Sequence, residues 1–579
     1  DRLQELLIFS IALTVGVIPE ALPVVSTVSL SRGALRLAKK KVIVKRLSAI
    51  DDLGSVDILC TDKTGTVTKN ELVVSDVRAA DVDSCVRCAV LGSSFLGEHA
   101  KQQNNAFDVA IWKHAGAALQ REARTSKKLS ELPFDPVRRR NSVLLESSDG
   151  ATLMVTRGSP DDILPLCGEP PDQLALGKYL VRQGLGGQRV IAVAVKRGLG
   201  RDASLKVEEH GLEFVGLISF FDPLKESAVG AVKKAKRLGV QIKILTGDSR
   251  EVAGAVASKL GIITDPLATV TGAELDAMDT ADRHRAVHDF HVFARMNPNQ
   301  KFAVLSLLQE KYTVGFLGEG FNDAPGLKMA NVGLAVEGAS DIAKEAADVI
   351  LLNRSLSVIF DGIEEGRKTF GNTIKYLKVT LASNFGNFYS VAIASLLVNF
   401  LPMLPLQILL LNLLSDFPMI TIATDSIDAA DLRDPKKYDA RQIILFTTLL
   451  GIVSSVFDFT TFAVFRNFGE QVLQSLWFMV SVLTELALIY SLRTNGPFYK
   501  AARPPAHIVI LTAAAAVIAV LLPYTGFGHR IFHFISPKPH HLILAFLIVG
   551  MYFVATETVK LWLVRASAKN GGNGHAKTA

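Results

Sequence analysis

At 579 residues the chain is too long for one hydrophobic core, so several domains are expected. It is 49% hydrophobic and only 21% charged, a balance that points to membrane segments joined to soluble parts and argues against a wholly soluble protein. The net charge of +7 comes from lysines and arginines spread along the chain and flanking apolar segments, which suits cytoplasmic loops and argues against a nucleic-acid partner.

The four cysteines, all in the first third, do not form a disulfide framework. Cys85 and Cys88 make a lone C-x-x-C that reads as two small helix residues.

Residues 6–30 are almost wholly apolar and long enough to span a bilayer, but Pro19-Glu20-Ala21-Leu22-Pro23 interrupts them. Two prolines four apart withdraw backbone donors and unwind the helix locally. Freed carbonyls and an ionisable residue at that depth belong where they line a polar cavity, so Glu20 is a candidate cation ligand, with a structural glutamate at a kink as the alternative.

After Lys39-Lys40-Lys41, residues 56–60 predict a short buried strand that runs into Asp62-Lys63-Thr64-Gly65-Thr66. Beyond the carboxyl end of such a strand, an aspartate can accept a phosphoryl group if magnesium and nearby cations offset the charge repulsion. Residues 73–212 interrupt the strand and helix alternation and read as an inserted domain. Within them, Pro133-Phe134-Asp135 followed by Arg138-Arg139-Arg140 offers an aromatic face for a base and cations for phosphates, against the plainer reading of a core ring and a solvated basic face.

The alternation resumes at Phe214. Residues 215–218 lead to Asp222-Pro223-Leu224-Lys225, residues 242–245 to Thr246-Gly247-Asp248, and Phe293-Ala294-Arg295-Met296-Asn297-Pro298 to Lys301. Residues 314–317 lead to Gly318-Glu319-Gly320-Phe321-Asn322-Asp323. Strands ending at one sheet edge would gather these side chains around one phosphate.

Apolar spans near 374–399, 404–424, 443–466, 474–492, 506–524 and 541–564 each suit one crossing, seven with the first. Asn384 and Asn387 share one helix face, and Asn412 and Asp416 another. With Glu20 they make an oxygen-rich set suited to a hard cation, the alternative being amide hydrogen bonds between helices. Asp458 and Glu485 read as helix-contact or rim residues, and 566–579 as a disordered tail.

The run from Asp62 to Thr66, continued by Val67-Thr68-Lys69-Asn70, resembles the phosphorylation signature of the P-type ion-pumping ATPases, and the Pro-Glu-x-Leu-Pro break resembles their ion-site helix. The later strand ends resemble the haloacid-dehalogenase-like phosphorylation domain. The resemblance implies that Asp62 is phosphorylated within a catalytic set of Asp62, Lys63, Thr64, Thr246, Gly247, Asp248, Lys301 and Asn322. It further implies that Thr64 offers its carbonyl to magnesium, that Thr246 and Lys301 hold phosphoryl oxygens, and that Asp62, Thr64, Glu319 and Asp323 form the catalytic magnesium site. Asn105-Ala106-Phe107-Asp108, Arg157-Gly158-Ser159-Pro160 and Gly187-Gln188-Arg189-Val190 resemble pieces of the family's nucleotide-binding insert. The implied ATP contacts are Asp108, Phe134, Arg157, Gly158, Arg189 and Asp222. One departure stands out: the family pattern is Gly-Asp-Gly-x-Asn-Asp, and Glu319 here is longer than the expected aspartate by one methylene, roughly 1.5 Å.

Ala12-Leu13-Thr14-Val15-Gly16-Val17, the run from Lys375 through Asn387, Leu401-Pro402-Met403-Leu404-Pro405 and Ser454-Ser455-Val456-Phe457-Asp458 resemble the bacterial magnesium-importing branch. Calcium pumps usually carry a carboxylate where Asn387 stands, and proton pumps do not normally present this amide cluster.

The expected fold is an α-helical transmembrane bundle with a cytoplasmic α/β phosphorylation domain, haloacid-dehalogenase-like and Rossmann-type, interrupted by an α+β nucleotide-binding domain. The expected segments are 1–40 (helix and stalk), 41–72 and 213–355 (phosphorylation), 73–212 (nucleotide), 356–565 (six helices) and 566–579 (tail). The resemblance implies ATP-driven cation transport through an aspartyl phosphate in the cell membrane, with magnesium the expected ion and calcium or a proton as alternatives. Mg2+, ATP and the lipid bilayer are the implied partners. An actuator segment with a Thr-Gly-Glu loop is expected upstream of Asp1. The competing reading is a chain that binds nucleotide without pumping, favoured by Glu319; a soluble phosphatase is opposed by the seven spans.

Overall fold

The computed structural model describes residues 10, 14, 18, 19, 21–63, 67–69, 71–93, 105–135, 137–146, 150–168, 172–352, 355–397, 400–433, 435 and 439–575. The chain divides into two units, Val56–Phe360 and the pair of segments Asp1–Ser55 and Asp361–Ala579.

In the first of these, seven parallel strands run in the order Val349–Leu351, Val332–Val336, Val314–Gly318, Ile58–Thr61, Gln241–Leu245, Val292–Ala294, Val270–Thr271. Ile58–Thr61, Val314–Gly318 and Val332–Val336 are buried at every position. That is the expected pattern for parallel strands covered on both faces, and it explains why they read as unbroken apolar runs. Thr61 pairs with Leu317 on one side and Ile244 on the other, so the polar residues that follow all three strands begin side by side. The order reverses between Ile58–Thr61 and Val314–Gly318, which opens a crevice at their carboxyl ends. Lys243 lies fully inside this sheet and donates to the carbonyls of Val287, His288 and Phe290 at 3.0, 2.9 and 2.6 Å, around the end of the helix Thr280–Asp289. Those acceptors compensate its burial, which still pushes its pKa down to about 8.

A six-stranded antiparallel sheet follows the order Val73–Ala79, Glu213–Phe221, Gln188–Arg197, Thr152–Gly158, Arg140–Glu146, Lys127–Asp135. The strand before Asp222 therefore belongs to this sheet, where the sequence suggested the parallel one. Its Phe220 ring meets Phe107 edge-on at 5.0 Å, in a core that also holds Cys85 and Cys88. Apolar patterning identifies such a strand but carries no information about which sheet it joins. Both cysteines are free, and burial pushes Cys85 up to about 12.

In the other unit, five helices are long and apolar enough to cross a membrane: Pro405–Thr424, Ala440–Phe468, Glu470–Leu492, Ala506–Tyr524 and Pro539–Ala566. This count is of the described residues, and it is two short of the seven expected. Residues 374–397 lie in the 41-residue helix Ser357–Leu397, where Asn384 and Asn387 lower the hydropathy of the run. The first expected span falls mostly outside the described residues, which take up its end as the helix Leu22–Lys39. Residues 566–575, expected as disordered tail, continue the helix Pro539–His575, because extending a formed helix costs far less than nucleating one. Near the helix Ala49–Gly54, backbones touch: a Cβ on Gly54 would stand 2.5 Å from the carbonyl carbon of Gly366, and Arg367 donates to the Gly54 carbonyl at 3.1 Å.

Candidate functional site

Asp62 follows Ile58–Thr61 directly and accepts from the Lys63 backbone N–H at 2.6 Å. Opposite it stands Lys301, on the helix Pro298–Gln309. The start of that helix is fixed by a reciprocal pair in which Asn297 and Gln300 each accept the other's backbone N–H at 2.9 Å. The Lys301 ammonium donates to Asp62 Oδ2 at 2.7 Å and to Asp323 Oδ1 at 3.2 Å. The other oxygen of Asp323 accepts the backbone N–H groups of Glu319 and Gly320 at 3.2 and 3.0 Å. From Gln241–Leu245 come Thr246, buried, and Asp248, whose N–H donates to Thr246 Oγ1 at 3.2 Å. Asp248 in turn binds the buried Lys63 ammonium at 2.5 Å and the Arg189 guanidinium at 2.6 Å.

Desolvation pushes the Asp62 carboxyl above the usual carboxylate range, against the pull of Lys301. Burial alone would lower Lys301, but Asp62 and Asp323 together hold it above its ordinary value. Burial would raise Asp248, and Arg189 and Lys63 overcome that and hold it low. The result is a nucleophile-sized carboxylate facing one shared cation, beside a second carboxylate already neutralised by two others.

Asp62, Glu319 and Asp323 supply only hard oxygen donors, at the ends of two directly paired strands. Among the described residues, no three His, Cys, Asp or Glu side chains converge as a metal cluster. A magnesium ion needs none, since one or two carboxylates with water and phosphate oxygens complete its shell, and the donor set fits it. Thr64, the remaining expected member, lies outside the described residues. Asn322 lines a 290 Å³ cavity shared with Lys301 and Asp323.

A larger cavity of about 610 Å³, the size of a small-molecule site, is lined by Asp108, Phe134, Arg157, Gly158, Arg189, Gly247 and Asp248. It thus brings together five of the six expected nucleotide contacts with the Thr246-Gly247-Asp248 turn. Phe134 is 54% exposed, an open face for stacking. Arg157 and Asp108 are both buried and paired at 2.7 Å, and Arg157 also donates to the Ala89 carbonyl at 2.9 Å.

Asp222 lies elsewhere: it accepts from Thr68 Oγ1 at 2.7 Å, beside the crossing strands where Lys69 N–H meets the Pro223 carbonyl at 2.8 Å. It pins the two chain passages into and out of the insert. Of the three consecutive arginines only Arg139 lines the cavity, while Arg138 and Arg140 both bind the buried Glu209 at 2.8 Å. Sequence reasoning missed Arg295, which also lines the cavity and reaches Asp161 at 2.8 Å from a left-handed backbone of φ 48°. A basic residue directly after the strand Val292–Ala294 was the available signal.

In the helical unit, Asn384, Asn387 and Asn412 line a cavity of about 20 Å³, room for about one water-sized occupant. The Asn387 amide donates to Glu485 at 2.5 Å, and Asp416 lies within electrostatic range of the same glutamate. Glu485 therefore faces the asparagine set instead of a rim, and an acid inside the almost wholly buried helix Glu470–Leu492 was the clue. Asp458 is a helix contact, accepting from Ser390 and Trp477 at 2.7 and 2.8 Å. Glu20 lies outside the described residues.

Residues 56–331 match the family model of the haloacid dehalogenase-like hydrolases, and residues 400–562 that of the cation transporting ATPase C-terminus. The chain is 36% identical to the magnesium-transporting ATPase, P-type 1, of Escherichia coli K12, over 96% of this chain and 64% of that protein. A Methanocaldococcus jannaschii protein assigned as a cation-transporting ATPase is 31% identical over 96% of this chain and 68% of its own length. Calcium-transporting ATPase 1 of Bacillus cereus is 30% identical over 75% of this chain and 52% of that protein. The chain thus spans just under two thirds of the length of the magnesium-transporting relative.

Proposed function

The chain belongs to the P-type cation-transporting ATPases, and from that premise we propose that it takes the γ-phosphoryl group of ATP onto Asp62 and uses the aspartyl phosphate to drive a divalent cation, magnesium, into the cell. It is a multi-pass membrane protein, with the ATP-binding part cytoplasmic.

The observation that carries the reading is the shared Lys301 ammonium, 2.7 Å from Asp62 and 3.2 Å from Asp323, at the ends of two paired strands. An Asp62 carboxylate oxygen attacks the γ-phosphorus, the bond to the ADP oxygen breaks in line, and ADP leaves with the electron pair. Lys301 and the Thr246 hydroxyl take up charge on the equatorial oxygens, and Lys63 keeps Asp248 from repelling them. Magnesium held by Asp62, Glu319, Asp323 and the Thr64 carbonyl supplies charge neutralisation when bound. The base stacks on Phe134, and Arg189, Arg139 and Arg295 receive the phosphates in exchange for their present carboxylate partners. Asn384, Asn387, Asn412, Asp416 and Glu20 hold the transported ion. The magnesium-transporting name of the E. coli relative favours magnesium over calcium.

The test is labelled ATP with the membrane-embedded chain: a hydroxylamine-labile phosphoprotein is expected, and label surviving in Asp62→Asn would remove the assignment. A second reading, nucleotide binding without turnover, draws on Glu319 and requires that the wild-type chain take no label.

A further inference from the structure

The small cavity of Asn384, Asn387 and Asn412 is also lined by Met403 and by Trp477 and Ser481 of the helix Glu470–Leu492. Ser481 is 2% exposed, and its hydroxyl oxygen has no hydrogen-bond partner among the described residues. A buried hydroxyl left in that state costs about 1–3 kcal/mol, which an occupant of the cavity would relieve. Towards the start of the same helix lies a second cavity of about 540 Å³, lined by Glu470, Gln471, Gln474, His533 and Leu404. The two cavities share both of these walls. Met403 lines one and its neighbour Leu404 the other, while Trp477 and Gln474 are three residues, or about 4.5 Å, apart along the helix. Gln474, Trp477 and Ser481 follow at helical spacing and so lie on one face.

Room separates what each cavity can hold. Magnesium gives up its waters reluctantly, and six of them at ~30 Å³ each fill ~180 Å³. The larger cavity has that room and the smaller has not, so a cation passing between them sheds water, and the Ser481 hydroxyl on the far side replaces some of it. Between the cavities the turn 400–404 is pinned, since the Gln474 amide donates to the Leu401 carbonyl at 2.7 Å. Trp477 is pinned as well, donating to Asp458 at 2.8 Å and meeting Phe462 edge-on at 4.5 Å. Met403, buried and unbranched, is the part of this partition that can swing aside. We propose that the transported divalent cation enters from the outer side of the membrane through the larger cavity, passes Met403 as a door, and is received by the Ser481 hydroxyl. Chain order gives the side: the helix Ser357–Leu397 is entered from the cytoplasmic, ATP-binding part, so the turn that follows it lies across the membrane. The inference rests on reading the asparagine cavity as the ion site.

The experiment uses right-side-out membrane vesicles holding the full chain, with Ag+ added outside as a small thiol-seeking cation. All four native cysteines lie between residues 60 and 167, in the ATP-binding part, so an introduced thiol among the helices is the one that meets it. After washing and denaturation, the thiols still open to a maleimide are counted. Ser481→Cys and Gln474→Cys are expected to be blocked by Ag+, and Val480→Cys, in the helical core, to stay open. Adding Met403→Ala is expected to speed the block of Ser481→Cys at least fivefold, with Gln474→Cys unchanged within twofold and Val480→Cys still open. Ser481→Cys left unblocked, Val480→Cys blocked as fast, or a Met403→Ala rate within twofold overturns the proposal. Mg2+ outside is expected to slow the block of Ser481→Cys. Block at an unaltered rate in saturating Mg2+ defeats the ion-site reading and leaves the route standing.

Discussion

Replacing Lys301 with methionine removes a cation shared by Asp62 and Asp323 while keeping the bulk of its stem. Lys301 is 13% exposed and its partners 23% and 7%, so most of the interaction is shielded from water. Stripping one partner from a buried pair costs about 3–5 kcal/mol; the partial exposure of Asp62 brings the expected loss of stability to about 2–3 kcal/mol. On the chemical step, losing one preorganised charge donor is worth about 2.7–4 kcal/mol, a ~10²–10³-fold slower phosphorylation. The acid limb must move as well. Asp62 already binds its proton more tightly than a free carboxylate, and without Lys301 it binds tighter still. Because only the anion attacks, the rate in Lys301→Met falls off at a higher pH than in wild type. Rapid-quench measurement of the acid-stable phosphoprotein between pH 5 and 8 reads both effects. A rate within threefold of wild type, with an unshifted acid limb, would refute the role given to Lys301.

Further substitutions probe the surrounding charges. Arg157→Ala removes the buried cation paired with Asp108 and should cost about 3–5 kcal/mol in a denaturant titration, whereas Arg157→Met with Asp108→Leu should recover most of that without recovering ATP binding. A double variant as unstable as the single one would rule out the buried-pair explanation. The depressed pKa of Asp248 contributes stability that is present above the unfolded value of about 3.9 and is lost as pH falls through the folded value. Melting of Asp248→Asn should therefore be lower than wild type at pH 7 and should show a shallower decline below about pH 4; parallel curves for the two proteins would contradict the assignment.

The parallel sheet was legible because Ile58–Thr61, Val314–Gly318 and Val332–Val336 are nearly unbroken apolar runs that stop at a polar turn, and Asp62 and Asp323 follow two of those runs. Asp62 and Asp323 could be anticipated as neighbours for that reason, and Lys301 joins them. What escaped depends on long-range pairing that no local pattern encodes. Glu213–Phe221 is an apolar run that would suit either sheet, so Asp222 was assigned to the nucleotide when it ties Thr68 where the chain passes into and out of the insert. Arg138 and Arg140 look like phosphate ligands until Glu209, some seventy positions away, is seen to hold both. Glu485 reads as marginal on its own helix and becomes central only when Asn387 from another comes to meet it.

The 41-residue helix Ser357–Leu397 is unbroken between Arg367, which grips the Gly54 carbonyl, and Asn387 in the polar cavity. At 1.5 Å per residue those two points are about 30 Å apart along one stiff rod. A rod of that length works as a pointer: a tilt of some five degrees about its stalk end sweeps the asparagines sideways by about 2.5 Å. Such a sweep exceeds what a pocket sized for a single small occupant can absorb, so under the proposed assignment of these asparagines the grip on an ion would be made and broken by geometry, with no side chain having to change its partner.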